Sequence, residues 1–177
     1  MRLFFAIPLP IEIKQKLLSS FPQKNFPGIR FTPEENLHIT VHFLGATSDE
    51  KLNKIIDEAK KICESTPPFE MRSDSLKTIF KDQKPVMIWA QCEECFGFEK
   101  LSFKFREALP TDENRKPNPH VTIARIRQLK KLPFDLPGVK QFSFTAGQLE
   151  LWESVTKPEG AVYSRIESWN LKSFAHG

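Results

Sequence analysis

The chain has 177 residues, 40% apolar and 27% charged, with 26 Lys and Arg against 22 Asp and Glu, a net charge of +4 and a pI near 9.0. This composition fits one globular domain over residues 1–177 and excludes a disordered chain. The longest apolar stretch, residues 4–11, contains two prolines and is far short of the ~20 residues of a membrane span, and the three cysteines follow no framework spacing, so a cytoplasmic protein with no membrane contact is expected.

Sixteen Phe against one Tyr predict dense sheet packing. In chain order, residues 2–7 (RLFFAI) read as a buried strand, and residues 11–21 carry apolar positions at helical spacing. Residues 37–44 (LHITVHFL) alternate as a strand that Gly45 should end. Thr47-Ser48-Asp49-Glu50 then offers capping chemistry for an amphipathic helix over 49–63. Residues 69–80 and 85–91 predict a strand pair, 94–109 a second amphipathic helix, and 120–126 a strand. One or two strands follow in 140–152 and a last one in 161–171. Mixed elements with short strand-to-strand connections favour an α+β fold with antiparallel sheets.

One short pattern occurs twice, as Asn36-Leu37-His38-Ile39-Thr40-Val41 and as Asn118-Pro119-His120-Val121-Thr122-Ile123. Side chains on a strand alternate between faces, so His38 and Thr40 share one face while Leu37, Ile39 and Val41 point into a core. The second copy repeats this with His120 and Thr122 against Val121 and Ile123. A His-x-Thr on one strand is usually structural. Two copies in the two halves of one chain predict a pseudo-twofold pair of sheets facing each other across a cleft, each contributing one His and one Thr. Imidazole titrates near neutrality, so such a pair can hold one neutral base and one protonated acid. Thr hydroxyls can donate to phosphoryl oxygens without adding charge. A phosphodiester with an alcohol leaving group suits this set, and a strained cyclic diester suits it best, since ring strain lowers the barrier enough to dispense with a metal.

These residues resemble the 2H phosphoesterases, and more narrowly the RNA 2′,3′-cyclic phosphodiesterases, also called 2′-5′ RNA ligases. The resemblance runs through RLFFAIPLP at the start, NLHITVHFLG (36–45), VMIWA (86–90), PHVTIAR (119–125) and LELWESVTKPEGAVY (149–163). It implies a bilobal α+β fold, with two antiparallel sheets lining a central cleft, helices outside and the motifs on adjacent central strands. It also implies hydrolysis of RNA 2′,3′-cyclic phosphate ends to 2′-phosphate, with reversible 2′-5′ ligation, the joining or splitting of RNA halves, by the same in-line chemistry. Carried onto this chain, His38 and His120 are the catalytic pair, and Thr40 and Thr122 hold the phosphate. Arg125 matches a phosphate-contacting Arg, and Phe43 an aromatic that stacks on a base. Strict alternation puts both on the face opposite the histidines, so either the strand bends or they act from behind. Which histidine is acid and which is base does not follow from the sequence. The expected partners are RNA ends with a 2′,3′-cyclic phosphate, tRNA halves among them, or cyclic nucleotides, bound by a monomer with no metal and no cofactor. The alternatives are a small cyclic nucleotide, an ADP-ribose cyclic phosphate or a 2′-5′ oligonucleotide as substrate, or a module that binds RNA ends without turnover.

Other signals carry less. His38 and His42 are four apart, too far on a strand to share one ion, and alternation puts His42 on the His38 face as a partly exposed polar residue. Cys92-Glu93-Glu94-Cys95 is a lone C-x-x-C without further zinc ligands. Trp89, Trp152 and Trp169 read as core aromatics, and His176 as a tail residue. Residues 115–131 are basic and free of acids. Arg115, Lys116, Arg127, Lys130 and Lys131 flank the second motif and are candidates for guiding an RNA backbone.

Overall fold

The structure, a computed structural model, describes residues 1–22, 24–112, 116–138, 141–157 and 160–172. His176 and Arg115 lie outside the described residues. The strands are β1 (Arg2–Pro8), β2 (Ile29–Phe31), β3 (His38–Ala46), β4 (Phe69–Lys81), β5 (Lys84–Cys92), β6 (His120–Ile126), β7 (Ser143–Ala146), β8 (Gln148–Lys157) and β9 (Gly160–Asn170). The α-helices are α1 (Ile11–Ser19), α2 (Leu52–Glu64) and α3 (Phe96–Ala108). The short strand β2 has no counterpart among the sequence-based expectations. β3 runs on through Gly45, whose φ of +69° fits a register shift against β1. The expected cap at Ser48 makes no side-chain bond, and α2 instead grows out of a 3₁₀ turn over Asp49–Lys51. The β4–β5 hairpin turns at Asp82 and Gln83, both at positive φ, as a tight two-residue turn requires.

Every strand pairing is antiparallel, in the order β7-β4-β5-β6-β3-β1-β8-β9, with β2 paired to the far part of β6. The order is symmetric about its middle. In each half a histidine-bearing strand (β3, β6) lies beside the strand that precedes it (β1, β5), with a helix between them in the chain (α1, α3). The α+β class and the pseudo-twofold arrangement are therefore as the sequence predicts. The halves are continuous through the β3–β6 pair, where Ile39 faces Val121.

All three helices pack on one face of the sheet. Ile13 and Leu17 of α1, Ile55, Ala59 and Ile62 of α2, and Phe98, Leu101 and Phe105 of α3 share a core with Leu3, Phe5, Ile7, Ile39, Val41, Val121 and Ile123. The i, i+4, i+7 spacing of Ile55, Ala59 and Ile62 gives α2 its apolar stripe. The Phe5 and Phe105 rings sit 4.2 Å apart at the centre. The opposite face carries a separate small cluster of Phe4, Ala6 and Trp152 with Tyr163 against it. This face holds both histidine motifs.

Two β-bulges control which side chains reach that face. Ala6 pairs with Thr40 but Phe5 pairs with His42, so Val41 is an extra residue in β3. Trp89 pairs with Thr122 but Ile88 pairs with Ala124, so Ile123 is an extra residue in β6. An extra residue inverts the alternation beyond it. His42 therefore turns into the core, at 4% exposure, and Phe43 turns out, at 49%. In β6, Ile123 and Ala124 are both buried, and Arg125 emerges on the His120 side. His42 thus does not share the His38 face, contrary to the sequence-based expectation. Its Nε2–H donates to the Leu109 carbonyl at 2.8 Å.

Each bulge frees a carbonyl that must find another donor. Ser102 Oγ, on α3, donates to Val41 O at 3.1 Å, and the Thr32 N–H donates to Ile123 O at 2.8 Å. Ser102 is fully buried, so Ser102→Ala leaves the Val41 carbonyl without that partner. The expected loss of stability is about 1–3 kcal/mol, read as a lower urea midpoint with an unchanged m-value.

Candidate active site

The Ile39–Val121 register places His38 beside Thr122 and Thr40 beside His120 on the open face. The four groups form a square with the histidines on its diagonal, roughly 7 Å apart at Cβ in ordinary sheet geometry. The structure thus brings together all four motif residues.

Both imidazoles are oriented the same way by the turn before their strand. His38 Nδ1 lies 2.7 Å from Asn36 O, and His120 Nδ1 lies 2.8 Å from Asn118 O. A carbonyl can only accept, so Nδ1 carries the proton in each neutral ring and Nε2 carries the lone pair. Thr40 Oγ1–H then donates to His38 Nε2 at 3.1 Å. Gln91 Nε2 braces the second turn through Asn118 Oδ1 and the Pro119 carbonyl.

The surroundings of the two rings differ. His38 is boxed by Phe4, Trp152 and Tyr163, at ring-centroid distances of 5.1, 5.0 and 5.5 Å. His120 lies flat on Trp89, 3.6 Å away with 16° between the planes. Both Trp89 and Trp152 line the site: Trp152 is buried in the small cluster of this face, as a core residue should be, while Trp89 is half-buried against His120. Burial pushes the His38 pKa down to about 4, opposed by the Asn36 hydrogen bond and reinforced by the charges of His120, Lys14 and Arg125. Burial also lowers the His120 pKa, with Arg125 adding to the effect.

Arg125 is exposed beside Met87, its Nη1 3.8 Å from Sδ. Lys14, on α1, acts electrostatically on His38, and sequence reading gave no sign of it. Phe43 stands on the same face, 5.7 Å from Phe4. The buried carboxylate of Glu150 accepts from Trp152 Nε1 at 2.7 Å and from Arg165 Nη1 at 3.0 Å, which fixes one wall of the His38 box. Among the flanking cations, Lys116 is tied to Glu94 and Glu99 at 2.8 and 3.7 Å.

Among the described residues, no three His, Cys, Asp or Glu side chains gather as a metal would need. Cys63 and Cys92 are buried, and burial pushes both thiols up to about 12, so neither is a thiolate near neutral pH. No helix among the described residues is long and apolar enough to cross a membrane.

A sheet with two His-x-Thr strands meeting at its centre defines the LigT-like phosphoesterase class, and residues 7–89 match the model of that family. The chain is 30% identical to an RNA 2′,3′-cyclic phosphodiesterase of Methanocaldococcus jannaschii, over 96% of this chain and all of that one. A Thermus thermophilus enzyme of the same name is 28% identical over the whole chain and 93% of the relative. Among solved structures, TT0787 of Thermus thermophilus superposes with a TM-score of 0.83 at 27% identity, over 98% of this chain and all of that one. Escherichia coli LigT, complexed with NADP⁺, gives 0.77 at 25% identity, over 96% and 97%. The chain belongs to the RNA 2′,3′-cyclic phosphodiesterase family of 2H phosphoesterases, and it is a phosphoric diester hydrolase.

Proposed function

We propose that the protein opens 2′,3′-cyclic phosphates at RNA ends to 2′-phosphates, with His38 and His120 as its acid–base pair. The observation that carries this is the diagonal of two Nε2 atoms, both oriented by Nδ1-to-carbonyl bonds and flanked by two Thr hydroxyls. A water attacks phosphorus in line with the 3′ oxygen. One imidazole takes the water proton, the P–O3′ bond breaks, and the other imidazole protonates the departing oxygen. The products are a 2′-phosphate and a free 3′ hydroxyl, with the total proton count of the pair unchanged. Thr40 and Thr122 donate to the non-bridging oxygens, and the Arg125 and Lys14 charges stabilise the negative charge that grows on them. The exposed Phe43 ring, backed by the buried Phe4 ring 5.7 Å away, offers the terminal base a stacking surface.

No step requires a metal, since ring strain supplies what a Lewis acid would otherwise add. With a ribose 5′ hydroxyl in place of water, the same attack breaks P–O3′ and joins a 2′-5′ linkage; run backward, the 3′ hydroxyl attacks, the linkage splits, and each histidine exchanges its role. The test is product analysis on an oligoribonucleotide ending in a 2′,3′-cyclic phosphate, with and without chelator. A 2′-phosphate product at an unchanged rate supports the reading. A 3′-phosphate product, or loss of activity with chelator, overturns it. A protein that only binds RNA ends would give salt-dependent binding and no product.

A further inference from the structure

We propose that Arg30, beside Arg125, binds a backbone phosphate that the reaction leaves intact, and that this contact makes the enzyme favour an RNA strand over a cyclic mononucleotide. The inference rests on the reading of the histidine site given above. Arg30 and Arg125 are direct partners across the β2–β6 pair, so their side chains leave the sheet on the same face. Like charges directly opposite repel, and proteins normally interleave a carboxylate. Here other cations find one: Lys61 with Glu58, Arg72 with Glu70, Arg165 with Glu150. Among the described residues, neither Arg30 nor Arg125 has a carboxylate within 4.0 Å, and the hydrogen bond Arg125 makes is the weak one to Met87 Sδ.

Arg30 is nonetheless held in place. Its guanidinium lies against Gly160, at the tip of the β8–β9 hairpin, so closely that a Cβ there would fall 1.0 Å from Nη1. Gly160 has φ +124°, a conformation that other residues avoid. The contact joins the two halves, since β2 pairs in one and β9 closes the other. Arg125 leans toward Met87 of β5, its Nη1 3.8 Å from Sδ, whereas Arg30 reaches toward the β8–β9 tip. Arg30 can therefore take a phosphate other than the one Arg125 serves. A guanidinium fork matches the two non-bridging oxygens of a phosphodiester. The terminal nucleotide of an RNA carries such a diester on its 5′ side, and a nucleoside 2′,3′-cyclic phosphate lacks it.

The experiment compares wild type and Arg30→Gln on a nucleoside 2′,3′-cyclic phosphate and on a short oligoribonucleotide with the same cyclic end. Arg30 is exposed, so the variant keeps its fold. The expected result is a KM for the oligomer raised roughly five- to tenfold, with kcat and all mononucleotide constants unchanged. The slope of log KM against log salt should fall by about 0.7, one single-strand phosphate contact. Replacing the last diester by an uncharged methylphosphonate should reproduce the effect in wild type and add nothing in the variant. Equal losses on both substrates, or none on the oligomer, would overturn the inference. If wild type turns over neither substrate, the proposed function fails, and the inference is then decided by oligomer binding. There it still requires weaker affinity and a shallower salt slope for Arg30→Gln.

Discussion

Replacing either His38 or His120 by Ala should cut kcat/KM on a cyclic-phosphate RNA by roughly 10²–10⁴-fold, the span of one general acid or base. The double variant should lose little more than the worse single one, because the two rings act on one phosphorus in one concerted exchange. The fold should survive, since both side chains stand on the open face and not in the helix-covered core. Asn substitution is the sharper control. It keeps a donor near the Asn36 or Asn118 carbonyl but cannot hold a transferable proton at the Nε2 position. A single Ala variant with wild-type turnover, or one whose loss is restored by added metal, would remove the pair from the chemistry.

The second large effect is on pH. Both histidines have lowered pKa values in the free protein, His38 to about 4. The pair carries the single proton that the reaction needs only between its two macroscopic pKa values. The kcat/KM maximum is therefore expected between about pH 4 and the unperturbed imidazole value of ~6.5, on the acid side of neutrality. Above that window the rate constant falls tenfold per unit, a loss of at least about thirtyfold by pH 8. The kcat profile reports the substrate-bound enzyme and should sit higher, because the bound phosphate anion stabilises imidazolium. Arg125→Gln removes a charge that depresses both rings and should shift the kcat/KM window upward. A kcat/KM optimum above pH 7 that ignores Arg125 would contradict this account. Stability follows the same sign. Each folded-state pKa lies below its unfolded value, so the contribution is full above pH 6.5 and is lost as pH falls toward 4.

The duplicated His-x-Thr pattern was legible because it depends only on local alternation, and residues 38–41 and 120–123 obey it in the structure. The elements beyond that point were not legible in the same way. A bulge at Val41 and another at Ile123 reverse the faces of His42, Phe43 and Arg125, and no Gly or Pro marks either one. What supports the first bulge is Ser102, 61 positions away, a relation that no local pattern contains. Period-two reasoning put Phe43 and Arg125 behind the sheet, whereas the bulges bring both out on the histidine face. Trp89 and Trp152 read as core because large aromatics usually are. Their place beside the histidines follows from registers, Trp89 with Thr122 and Trp152 with Phe4, that exist only once the sheet is assembled.

The seam between the halves has a mechanical consequence. One bridged couple, Ile39 with Val121, joins β3 to β6, and the proton-handling groups sit immediately on either side of it. A shift of β3 against β6 would change the acid-to-base span directly. Amide exchange at this couple should therefore slow when a phosphate bridges the gap between the two strands.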